Sequence, residues 1–351
     1  MIVEPMNDER EWERFVADSP DGTFFHTLKW RDVLEKSFPY ESLYLCIRNS
    51  NDNLVGVCPF FITKKLWPFN IVDSLPNSDL GGPLLKEGCK KDAANALLNY
   101  LEDLGANKKI SYIKLRISNI EDCECLKTKN SKVENHIGTM ILDLDEKSMD
   151  FIWNNVFEHK QRKYINRFDR DGFKSNNSTD ISSIKKFHTL YCDTWGDDKA
   201  LSNLRFLENI FNLLCRENLN ITLIEKDDRC IGAGINFIYN EKKAVYMTGV
   251  ALDKDVSSRY KTYYKLRWET IKYAHKNGYR YVSFGPVFSD VSEIHHQIKS
   301  KFGAEFNQDY YLYLPINREL FFLWKASINL GRKLKNVLPN RVYTEIGRRL
   351  Y

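Results

Sequence analysis

The sequence predicts an α/β chain of two tandem domains, residues 1–149 and 150–316, followed by a basic amphipathic tail, residues 317–351. Each half runs helices, antiparallel strands, a helix and then a strand. That order is layered α/β or α+β patterning, not an all-helical bundle. Short pieces of the first half return in order in the second. Phe25-His26-Thr27-Leu28 reappears as Phe187-His188-Thr189-Leu190, and Val55-Gly56-Val57 as Ile231-Gly232-Ala233. Leu80-Gly81-Gly82 reappears as Thr248-Gly249-Val250, and the run from Ile110 to Leu115 as the run from Arg280 to Phe284. A length of 351 residues suits two domains with ordinary cores. Chance likeness between common α/β patterns is the competing explanation, and the preserved order of the pieces argues against it.

Residues 9–17 and 28–37 have the spacing of short helices, with Trp12, Phe15 and Val16, then Trp30, Val33 and Leu34, on one face. Residues 43–47 and 54–63 read as paired strands around the polar turn 49–53. Residues 90–104 form a helix with Ala94, Leu97, Leu101 and Leu104 on its stripe, closed by Gly105. Residues 110–117 are a strand, the polar stretch to Asn135 a loop, and 139–144 a strand. In the second half, 150–171 reads as one long helix and 190–215 as helical in parts. Three strands follow at 221–225, 230–239 and 244–250. A helix at 258–277 carries Tyr260, Tyr264, Trp268, Ile271 and Ala274 as its apolar stripe, and Gly278 stops it. The strand that begins at Tyr279 ends at a Gly285-Pro286 break, and Lys299 and Gly303 return toward that break. Strand ends of this kind are where α/β proteins bind ligands.

No run of 18 apolar residues exists, so no membrane span is expected. The acidic start of the chain does not read as a secretory signal. Eight scattered cysteines, with only Cys123 and Cys125 close together, read as reduced cytosolic thiols. The net charge of +5 belongs to the tail, where residues 317–351 hold eight basic and two acidic residues; the rest has 44 basic against 45 acidic. The body therefore does not read as a nucleic-acid binder.

Four pieces of the sequence are similar to the FemABX-type transferases. They are Phe24-Phe25-His26-Thr27 through Trp30; Ser74 to Pro83; the basic helix from Arg162 to Gly172; and Phe284-Gly285 followed by Ile298-Lys299-Ser300-Lys301-Phe302-Gly303. The last resembles the family's Phe-Lys-x-x-Phe-Gly ending, with Ile298 in place of the first Phe. The resemblance spans roughly residues 10–315. It implies two GNAT-like (acyl-CoA N-acyltransferase) domains. It also implies transfer of an acyl or aminoacyl group to an amine, often on a cell-envelope or glycan precursor. The donor is aminoacyl-tRNA in the best-known members and acyl-CoA in related GNAT proteins. Residues 250–259 contain no glycine to build a pyrophosphate cradle, and no sustained heptads mark a tRNA-binding hairpin, so the donor stays open.

Transfer to an amine needs a proton acceptor, a held carbonyl and a stabilised oxyanion, but no covalent intermediate. On the resemblance Lys299 is the catalytic candidate, neutralising the oxyanion or a donor phosphate; a solvated helix lysine is the alternative. Asp79, in a turn with Gly81 and Gly82, is a substrate-binding candidate, because glycines admit close approach; an ordinary turn is the alternative. His26 and Trp30 belong to the cleft-lining set that the resemblance implies, and otherwise to the core. Lys160, Lys163, Arg167, Arg170 and Lys174 share one helical face, and Arg162 matches the family's basic helix. That stripe is either a solvated face or a docking surface for phosphate or tRNA. His296 is a candidate base or contact; it and His295 diverge, so no shared metal is expected. The tail suits an anionic membrane surface or a docked helix. The leading expectation is thus a cytoplasmic acyl- or aminoacyltransferase, possible contact with the inner face of the membrane included. A catalytically silent GNAT-like binding protein at the membrane is the alternative, and an RNA-binding stripe at 160–174 a third.

Overall fold

The structure, a computed structural model, describes residues 1–66, 69–108, 110–323 and 326. The chain divides into two compact units, residues 1–135 with 309–351, and residues 136–308.

The first unit opens with β1 (Ile2–Pro5), α1 (Glu9–Asp18), a 3₁₀ turn (Phe24–His26) and α2 (Leu28–Ser37). Asp8 caps α1 by accepting from the Arg10 and Glu11 amides, and Trp12 and Val16, one turn apart, are its buried face. The strands β2 (Glu41–Arg48), β3 (Leu54–Leu66) and β4 (Phe69–Ser74) form an antiparallel meander, with β5 (Leu84–Leu85) beside β3. After α3 (Lys90–Lys108) the chain enters β6 (Ile110–Ile117), parallel to β4. The stretch expected to be a loop contains α4 (Ile120–Leu126), capped by Asn119.

The second unit begins in β7 (Lys132–Asp143) and a short helix, α5 (Met149–Phe151). The single long helix expected from 150 to 171 is broken. A wide π-type turn (Ile152–Val156) ends at an extended Phe157, and α6 (His159–Arg170) starts afresh from a reciprocal Glu158–Gln161 cap. Next come β8 (Lys174–Ser178), α7 (Ile181–Trp195), α8 (Leu204–Asn218), β9 (Leu219–Lys226), β10 (Arg229–Tyr239) and β11 (Ala244–Leu252). β10 is buried from Ile231 to Tyr239, so its sequence shows no apolar/polar alternation, and the buried amide of Asn236 donates to Asn220 and Thr222. The helix expected at 258–277 is two helices, α9 (Lys254–Tyr260) and α10 (Thr262–Lys276), split at Lys261, whose φ of 59° is left-handed. β12 (Tyr281–Phe288) and α11 (Ile294–Ser300) follow. The sheet order within this unit is β7-β12-β11-β10-β9-β8.

The last strand, β13 (Glu305–Pro315), returns to the first unit and pairs antiparallel with β6, Tyr310 opposite Ile117 through Pro315 opposite Tyr112. The compact units therefore divide at 135/136 and 308/309, where the sequence placed breaks at 149/150 and 316/317. Leu312 and Leu314 of β13 lie in the first unit's core with Leu97, Leu101, Ile113 and Leu115. The second core gathers Leu142, Phe157, Phe168, Trp268, Phe284 and Phe302. Of the tail, Asn317 caps a turn through Leu320, and Phe321 packs on Tyr112 at 5.3 Å. The rest of the expected amphipathic tail, residues 324–325 and 327–351, lies outside the described residues. Among the described residues no helix is long and apolar enough to cross a membrane.

Candidate active site

Two parallel strand pairs, each joined through helices, lie one in each unit, and their ends differ. In the second unit β11 and β12 pair only at Ala244–Tyr281, Val245–Val282 and Tyr246–Ser283. Both strands run on, to Leu252 and Phe288, after that pairing ends. On the other side of β12 the register with β7 shifts between Ser283 and Pro286. Gly285 has a φ of 74°, open to glycine at little cost, and proline follows without an N–H to give. The result is a bulge whose carbonyls turn out of the ladder.

Lys299 addresses that bulge. Glu293 caps α11 by accepting from the His295 and His296 amides, which fixes where the helix begins. One turn later, Lys299 Nζ donates to the carbonyls of Gly285 at 3.2 Å and Pro286 at 2.9 Å. The side chain is 8% exposed, so its charge is held at the strand break and not in bulk water. On the same helix His296 is buried, its ring stacked on Phe306 at 5.2 Å. Its Nδ1–H donates to the Phe288 carbonyl at 3.1 Å, which leaves Nε2 as the basic nitrogen. His295 points to solvent.

The other basic candidates do not converge on this point. Arg162 Nη1 donates to the carbonyls of Trp153, Asn154 and Phe157, closing the wide turn before α6. Arg167 pairs with Asp171 at 3.3 Å and stacks 4.1 Å from the Tyr260 ring centre. Lys163 is exposed, and Lys174 has left the helix for β8, so the five-residue stripe stops at Arg170. Gln161 Nε2 donates to the Lys301 carbonyl, tying the start of α6 to the end of α11.

In the first unit the segment after β4 closes back on the parallel pair. Ser74 Oγ accepts from the Arg116 amide at 2.9 Å. Arg116 donates to the Ser78 carbonyl at 3.3 Å and to Asp309 at 2.6 Å. Burial works against the Arg116 charge, yet Tyr311, Asp309 and Asp79 hold its pKa above the ordinary value. Trp30 Nε1 donates to Ser78 Oγ at 2.7 Å. His26 is buried; Nδ1 accepts from the Thr23 amide, and Nε2–H donates to the Gly82 carbonyl at 3.1 Å. Burial lowers its pKa to about 4, so the ring is neutral. Gly82, at φ 113°, has no room for a Cβ, which would meet the Arg116 carbonyl oxygen at 2.2 Å. At Gly81 a Cβ would sit 2.9 Å from that of Leu75. Both glycines thus serve close approach to the protein's own chain. The structure brings His26, Trp30, Asp79, Gly81 and Gly82 together around this loop.

Sequence reasoning passed over Arg116, Asp309 and Arg267. Arg267 had a readable signal: it sits three residues after Tyr264 and four before Ile271, a cation on an apolar stripe. The turn after β11 lacks glycine, and its Asp253 carboxylate is already engaged. Asp253 Oδ1 accepts from the Val256 amide at 2.9 Å, and Arg229 pairs with the same carboxylate. Among the described residues no group of three or more His, Cys, Asp or Glu is placed to hold a metal ion.

The comparisons with known proteins bear on the fold. Residues 159–292 match the family model of the acetyltransferase (GNAT) domain. No curated protein matches the chain by sequence. The crystal structure of FemX superposes with a TM-score of 0.70 at 15% identity, covering 92% of this chain and 99% of that one. A tandem GNAT protein from the clavulanic acid biosynthesis pathway gives 0.61 at 11% identity, covering 90% and 98%. L-PGS from Bacillus licheniformis gives 0.59 at 13% identity, covering 99% and 98%. The chain has the fold of the GNAT superfamily in its tandem, FemABX-like form.

Proposed function

We propose that this chain is an N-acyltransferase that moves an acyl or aminoacyl group from an activated donor to an amine. The observation that carries the reading is the buried Lys299 ammonium, fixed on the Gly285 and Pro286 carbonyls where β11 and β12 stop pairing. The amine nitrogen attacks the donor carbonyl, a C–N bond forms, and the bond to the donor's leaving group breaks. Negative charge gathers on the carbonyl oxygen in between. A preset cation in a dry site stabilises that charge with little reorganisation. The proton lost by the amine passes to a base, for which His296 Nε2 is the candidate on the same helix. The likeness to FemX and L-PGS supports an amine on a cell-envelope precursor as the acceptor. Asp79, near the Arg116 charge, is the candidate for holding a hydroxyl or ammonium group of the substrate.

The test is transfer from a panel of acyl-CoAs and charged tRNAs to amine-bearing precursors. Lys299→Met should fold, and should lower turnover about 10²- to 10³-fold. A Lys299→Met protein with undiminished transfer would remove the basis for the proposal.

A further inference from the structure

Arg267 lies on the inner face of α10 and is 7% exposed. Its guanidinium carbon is 5.7 Å from the ring centre of Phe284, 5.6 Å from Phe302 and 5.9 Å from Tyr263. None of its N–H groups meets an acceptor among the described residues, and Nε is fully enclosed. Comparably buried cations are treated differently: Arg116 meets Asp309, and Lys265 meets Asp169 and Glu269. Aromatic faces attract a cation but leave the in-plane donors of the fork unused. Burial pushes the pKa down to about 10, so the group stays charged at neutral pH. A dry charge without a counter-ion costs stability, and the fork fits two oxygens of one anion. Its position is equally specific. Phe284 directly precedes Gly285, and Phe302 lies three residues after Lys299, just past the end of α11. Arg267 thus packs from α10 on the rings of residues that adjoin the strand break and the Lys299 helix.

We propose that Arg267 is an oxyanion receptor, whose fork takes the phosphate or carboxylate of the ligand handled at the β12 break. This deepens the acyltransferase reading of that site, and its test needs no acyl donor. The full chain is titrated with inorganic phosphate, pyrophosphate and acetate, followed by calorimetry and by melting temperature. The wild-type chain should bind at least one of these anions. Arg267→Met should weaken that binding roughly tenfold or more, and without anion should melt no lower than wild type. Arg267→Gln, which keeps polarity and much of the volume, should lose the same binding and covers the case in which the Met variant does not fold. Preference for phosphate over acetate assigns a phosphate group, and the reverse a carboxylate. Anion binding by a chain that transfers nothing would leave Arg267 standing and remove the proposed activity. Binding unchanged in both variants, or no binding of any of the three anions by wild type, overturns the proposal.

Discussion

His26 accepts from the Thr23 amide at one ring nitrogen and donates to Gly82 from the other. Its place is set by scaffold bonds, and its buried ring stays neutral because charging it would strand a cation. The folded pKa, about 4, lies below the ordinary 6.5, so the unfolded chain takes up the proton first as pH falls. The stabilisation is full above pH 6.5 and is lost between there and about 4. At about 1.4 kcal/mol per pH unit, urea unfolding at pH 5 and pH 7 should differ by about 2 kcal/mol more for wild type than for His26→Gln. Equal pH dependence in the two proteins would show that His26 protonates freely. Arg116 and Asp309 make the opposite kind of contact, a buried pair at 2.6 Å. Asp309→Ala should cost about 3–5 kcal/mol in denaturant unfolding, since it leaves the guanidinium's charge behind. The sequence brought Lys299 back toward the Gly-Pro strand end, and the resemblance of residues 298–303 to the family's ending singled it out; its bonds to the Gly285 and Pro286 carbonyls place it at that break. Asp309 was not legible, because its partner lies 193 positions away and no local pattern links them.

Several patterns with one buried face were readable, but the part of α7 before residue 190 was missed although Ile184, Phe187 and Leu190 form its buried face. The helix starting at residue 90 falls where its periodicity put it, and the strand at 110–117 falls where it was expected although it is buried on both faces. Short elements lacked such a signal: β4 and β5 are held by neighbouring strands, and α4 by its Asn119 cap. Some of the echoing pieces fall at equivalent places in the strand order and others do not. Gly56 in β3 and Gly232 in β10 occupy corresponding strands, as do β6 and β12. His26, however, is in a 3₁₀ turn while His188 is inside α7, and Gly249 is within β11 while Gly81 is in a loop. The break at Phe157 was missed although Glu158 and Gln161 spell a capping pair. The β12 bulge depends on glycine at φ 74°. Gly285→Ala should lose about 1–2 kcal/mol in thermal or urea unfolding and should weaken acyl transfer further by shifting the carbonyls that hold Lys299. Wild-type stability in that variant would mean that the bulge relaxes without cost.

At the scale of the molecule, the two-domain plan follows from sequence order, but the exchange at its end does not. Nothing local in Glu305–Pro315 says which half it completes; its apolar alternation would suit either sheet. In the structure six of its residues, 310–315, pair with β6. Removing residues 305–351 should therefore expose the edge of β6, leave Arg116 without Asp309 and make the protein aggregate. A chain ending at residue 323 should remain soluble, as followed by size-exclusion chromatography. Soluble, cooperative unfolding of the 1–304 chain would refute that dependence.

This late strand also orders events on the ribosome. Residues 1–135 emerge first, yet their sheet lacks its final member until residues 309–315 have been made. At ordinary elongation rates the interval is on the order of ten to thirty seconds. During it the nascent amino-terminal half carries an unpaired edge.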